Sequence, residues 1–146
     1  ASQPDQAWGK STTAQANRRS VYVKVKRSLQ DPILRSHDMA DTDSTCAVRF
    51  TTTVPTQSLT MLNVEFVNDS ALSFADRIRR TAGPSSAEQV ECGLSIVFSR
   101  KPQPQEVQAG VRMMEEVARV GNLSPKEALD RFALLALNLN EFIYLD

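Results

Sequence analysis

The densest group of potential ligands in this sequence is the run HDMADTDSTC, which holds His37, Asp38, Asp41, Asp43 and Cys46. Calcium takes several carboxylate and carbonyl oxygens from one short loop, so Asp38, Asp41 and Asp43 are the candidate calcium ligands. The run lacks EF-hand spacing, with its required glycine and distal glutamate. His37 and Cys46 are residue types that bind zinc. Aspartates in such runs ordinarily cap turns and helix starts or pair with nearby arginines, and that role is preferred here.

The second group is basic. Lys10, Arg18, Arg19, Lys24, Lys26, Arg27 and Arg35 stand against Asp31 alone between positions 10 and 35, a net of +6. The whole chain sums to zero, with 17 basic and 17 acidic side chains, so the remainder carries −6. Arg18, Arg19, Lys24, Lys26 and Arg27 are therefore the candidates for holding an anionic ligand, such as a sulfated or uronic polysaccharide, or an acidic partner domain. Pairing with the chain's own acids is the preferred alternative, and a domain interface comes next. Nucleic acid is not expected, because global basicity is missing and Tyr22 is the one aromatic interleaved with these charges.

Cys46 and Cys92 are far apart and neither begins a CxxCH run, so covalent haem is not expected in this segment. Two buried free thiols are preferred over a disulfide. A nucleophilic Cys46 would need a fixed base, and the sole histidine, His37, sits in the same loop. No GxSxG, HExxH, P-loop or dinucleotide fingerprint occurs, and only five glycines exist to build one. Glu115 and Glu116 read as solvated charge on a helix. The balance leans away from catalysis.

These residues need a scaffold. At 146 residues and 41% hydrophobic, the chain is of single-domain size with enough apolar material for a core. No apolar run is long enough for a membrane span. The polar opening ASQPDQ is not a signal peptide and reads as the start of an excised piece. Residues 1–17 form a polar arm anchored by Trp8. Val21, Val23 and Val25 alternate with Tyr22, Lys24 and Lys26, the period of a strand, which here would pair with something outside this chain, pack as an extended arm, or be part of a helix after all. Residues 30–49 read as a loop with at most a short turn.

From Thr51 the pattern is helical. Pro55 suits a first turn, and Leu59, Leu62 and Phe66 share a face that continues through Val67, Ala71, Phe74, Ala75 and Ile78, with a break plausible near Asn63. Gly83-Pro84 ends this stretch, and Ser85 with Glu88 has the spacing of a capping box before Val90, Leu94 and Val97. Pro102 and Pro104 separate it from a helix carrying Val107, Val111, Met114 and Ala118 and closing at Gly121-Asn122. Ser124-Pro125-Lys126-Glu127 is the clearest helix start, leading into Leu129, Phe132, Ala133 and Ala136. The expected fold is mainly α: a bundle of four to five short helices preceded by an extended basic arm or strand. The expected division is an arm, basic strand and aspartate loop over 1–50 and a helical domain over 51–146, one compact unit overall.

Several segments, AWGKS, NRRSVYVKVKRSL, HDMADTDSTCAVRFTTTVPTQSLTMLN and LNLNEFIYLD, occur together and in order. In this the chain resembles the carboxyl-terminal part of the planctomycete cytochrome-associated domain of unknown function, over roughly residues 7–146. The resemblance implies a large secreted multidomain protein, hence a periplasmic or secreted location, with haem confined to another module of that parent. It also implies a longer domain, whose missing amino-terminal part would pair with the strand at Val21–Val25. Other domains of the parent are then the natural partners. His37 and the Cys92-Gly93 segment depart from the family pattern, which argues against a function resting on His37 or Cys92. The role this implies is structural, with part of a polysaccharide-processing enzyme or an anionic-glycan module as the alternative.

Overall fold

A computed structural model describes residues 55–144 continuously, together with 12–16, 18–22, 34, 35, 37 and 39. The chain divides into two units, 1–54 and 55–146.

In the first unit, Thr13–Ala16 make a single helical turn. Its ends are tied reciprocally: the Thr12 amide donates to Gln15 Oε1 at 3.0 Å and the Gln15 amide to Thr12 Oγ1 at 3.4 Å. Ser20–Tyr22 then form a 3-10 turn, in which the Tyr22 amide donates to the Arg19 carbonyl at 3.0 Å. Val21 and Tyr22, the first residues of the expected strand, therefore adopt a turn. A lone strand would leave its amides without acceptors, whereas this turn supplies one locally. Val23, Lys24 and Val25 lie outside the described residues. Further on, the amides of His37 and Met39 both donate to the Leu34 carbonyl, a short turn of the kind expected within residues 30–49.

The second unit is a helical bundle. Its helices are α1 (Pro55–Asn63), α2 (Glu65–Thr81), α3 (Ser86–Phe98), α4 (Pro104–Gly121), α5 (Pro125–Ala136) and the one-turn α6 (Asn140–Ile143). The break near Asn63 falls at Val64, which is extended (φ −73°, ψ 128°). Both expected capping boxes form: Ser85 accepts from the Glu88 amide, and Ser124 from the Glu127 amide. At α4 half of this arrangement forms ahead of Pro104: the Gln103 amide donates to the Glu106 carboxylate, and the Glu106 amide to the Gln103 carbonyl. Asn122 closes α4 in the left-handed conformation, φ 49°, which Asn tolerates better than most residues.

The core is assembled from the inward stripes of α2 to α5. Ile78, Val90, Leu129 and Phe132 are its largest fully buried side chains, with Ala71, Ala75, Leu94, Val97, Met114, Ala133 and Ala136 around them. Helix α5 packs against both α2 and α4, and α3 closes the group against α2, α4 and α5. Two glycines set how close these helices come. A Cβ at Gly93 would meet Phe132 at 2.9 Å and Ile78 at 3.0 Å, and one at Gly110 would meet Val90 at 2.6 Å.

One expected stripe is displaced. Leu59 and Phe66 are more than half exposed, and Leu62 is partly so. The turn at Val64 breaks the continuity of the face, and α2 directs Val67, Ala71, Ala75 and Ile78 inward instead. Among the described side chains, none of α1 belongs to the core cluster.

Candidate functional site

Arg18 and Arg19 are both exposed, immediately before the 3-10 turn that carries exposed Tyr22. Lys24, Lys26 and Arg27 lie outside the described residues, as do Asp38, Asp41, Asp43 and Cys46. His37 is half-buried in its turn. Cys92 is a half-buried free thiol in α3. Among the described residues, no three His, Cys, Asp or Glu side chains converge as metal ligands. No helix among them is long and apolar enough to cross a membrane.

What the helical unit does bring together is a set of polar links around the strap that follows α5. The centre of one is Arg100, just past the end of α3. Its Nε and Nη2 donate to the two Glu141 carboxylate oxygens at 2.8 and 2.9 Å. Its Nη1 and Nη2 donate to the Glu106 oxygens at 3.0 and 2.8 Å, and Nη1 also reaches the Lys101 carbonyl. The guanidinium lies 4.5 Å from the centroid of the Phe98 ring. A planar fork matches two carboxylates bidentately, so one side chain joins the α3–α4 connection, the first turn of α4 and α6. The Arg100 guanidinium and the Gln103 amide hold Glu106 down from 4.5 to about 2. The same carboxylates raise Arg100.

The other end of the strap is Tyr144, whose hydroxyl donates to Gln57 Oε1 at 2.9 Å. Gln57 is 4% exposed, the one buried polar residue of the described set. The contact joins positions 87 apart in the chain. It links the VPTQSL and NEFIY segments that carried much of the resemblance.

Arg79 forms a further link. It donates to Asp76 within α2 and to Asp130 of α5, the latter at 2.9 Å, and so bridges two core helices at their surface. The hydrogen bond from Arg79 lowers Asp76, and the two carboxylates raise Arg79. Between α3, α4 and α5 runs an apolar groove of about 250 Å³, walled by Leu94, Phe98, Met113, Leu135 and Leu139, with Glu106 at its rim.

The family model "PSD1: Protein of unknown function (DUF1553)" matches residues 1–114. The chain belongs to this family. The match covers the whole first unit and extends into α4, so the expected membership in a domain of unknown function holds over that span. No curated protein and no solved structure matches the chain.

Sequence reasoning singled out the basic arm and the aspartate loop, and missed Arg100, Gln57 and Tyr144 as polar anchors. Arg100 and Glu141 are 41 positions apart, and no local spacing rule connects such pairs. Gln57 gave no signal either, since it stands among Thr56, Ser58 and Thr60 in the sequence.

Proposed function

We propose that this chain is a non-catalytic structural or interaction module of an extracytoplasmic, cytochrome-associated bacterial protein, periplasmic or secreted, in which it helps position a redox or substrate-binding module. One observation carries the structural part of this reading: two segments at opposite ends of the helical unit, VPTQSL and NEFIY, are spent on each other through Gln57 and Tyr144. The ionic side chains Arg79, Asp130, Arg100, Glu106 and Glu141 likewise join one helix to another, which is what a packing module requires. The planctomycete and cytochrome setting rests on the sequence resemblance, and haem belongs to another module of the parent. The partners are the amino-terminal part of the same domain and its neighbouring domains. Calorimetric titration of this chain with the rest of its parent is expected to give saturable binding. Turnover of a substrate, or uptake of a redox cofactor by the isolated chain, would overturn the proposal.

A second reading, an anionic-glycan module or part of a polysaccharide-processing enzyme, is favoured by the adjacent exposed Arg18 and Arg19 beside exposed Tyr22. Binding on an array of sulfated and uronic glycans, lost when Arg18, Arg19 and Arg27 become alanine, would support it. Calcium-dependent melting would add a site at Asp38, Asp41 and Asp43.

A further inference from the structure

Leu137 and Leu139 of the strap pack on the core, but α6 beyond them lies at its edge, as does α1. Leu59 is 58% and Leu62 is 38% exposed, and no described side chain of α1 belongs to the core cluster. Helix α6 has four residues and none of them is buried. Elements that bury little apolar area open locally at low free energy, and polar anchors then decide how often they do so. Two of these anchors lie on one continuous segment, while a third, from Asn68 Nδ2 to the Leu62 carbonyl at 3.1 Å, sits beside Val64. Glu141 ties the continuous segment to Arg100, and three residues later Tyr144 ties it to Gln57 of α1. Between α1 and α2, Val64 is extended, which gives α1 a pivot that a continuous helix would deny it.

We propose that residues 140–144 form a releasable clasp that sets the position of α1, so that α1 and α6 open together about Val64 while α2 to α5 stay folded. Tyr144 acts as the pin and Arg100 as the anchor that keeps the pin in register. A partner that captures residues 140–144 would thereby loosen α1, which Tyr144 touches directly. The clasp is a coupling between two surface elements and requires no change in the core.

Amide hydrogen exchange on the full chain tests this, comparing the wild type with Tyr144→Phe and Glu141→Ala. Tyr144→Phe keeps the ring and removes only the hydroxyl. The expected result is exchange about tenfold faster at the amides of Leu59 to Asn63, with α2 to α5 unchanged, since one intramolecular hydrogen bond is worth roughly this factor. Glu141→Ala is expected to speed exchange at Phe142 and Ile143 and, through the strap, in α1 as well. Unchanged α1 exchange in Tyr144→Phe overturns the proposal, as does an equal acceleration through α2 to α5. Faster exchange in α6 without α1 in the Glu141→Ala variant overturns the coupling.

Discussion

Helices α1 and α5 both begin at a proline and carry apolar residues at three-residue spacing, yet they are held in opposite ways. In α5, Leu129 and Phe132 are almost completely buried. In α1, Leu59 and Leu62 face outward, and among its described side chains the polar Gln57 is the buried one. The difference lies in their neighbours. Helix α5 lies against α2 and α4, with α3 also in contact, whereas α1 packs on α2 and is turned at Val64. Apolar spacing thus marks a face able to be buried, and the number of adjoining helices decides whether it is. Where neighbours are few, polar links such as Tyr144–Gln57 take over.

The sharpest way to break this comparison is to truncate both helices. Phe132→Ala is expected to destabilise the helical unit by about 3–5 kcal/mol, whereas an exposed Leu59→Ala should cost less than about 0.5 kcal/mol; urea melts of both variants measure it. Equal losses would remove the distinction between core and edge. Gly110→Ala comes next. Its Cβ would collide with the stiff Val90 side chain, and this overpacking, about 1–3 kcal/mol, outweighs the gain of up to about 1 kcal/mol in helix propensity. A stabilised variant would show that α3 and α4 can separate freely.

At the start of α5, Ser124→Ala is expected to cost about 1 kcal/mol by removing the cap. The Ser124 hydroxyl, then its backbone amide, hold Glu127 below its ordinary value, so the same substitution should raise the Glu127 midpoint in a carboxyl NMR titration. The smallest effect is expected at the strap. Glu106 is depressed when folded, so its link to Arg100 is fully present above about pH 4.5 and is lost as the pH falls towards about 2. Arg100→Gln should return the Glu106 midpoint towards 4.5. A midpoint unmoved by that substitution would place the cause in the Gln103 amide instead.

Much of the bundle was legible because its signals are local. Ser85–Glu88 and Ser124–Glu127 fixed two helix starts, and the 3.6-residue stripes of α2, α3 and α5 identified their buried faces. The break at Asn63 was legible, but its effect on the Leu59–Phe66 face was not, because direction after a turn depends on tertiary packing. Alternation from Val21 fitted a strand, an arm or a helix alike, since short valine runs carry no information about a partner, and Ser20–Tyr22 make a 3-10 turn. Arg100, Glu141, Gln57 and Tyr144 were not legible as a site, because the geometry that joins them exists only after the core has formed.

The turn at Val64 also has an electrostatic consequence. The carbonyl end of α1 and the amide end of α2 meet on this single residue, whose carbonyl accepts from the amides of Val67 and Asn68 and from Asn68 Nδ2. Opposite partial charges of about half a unit therefore neutralise each other there. The amino ends of α3, α4 and α5 are each met by a capping carboxylate, from Glu88, Glu106 and Glu127. An anion approaching α3 to α5 therefore meets amino termini already compensated from within the chain.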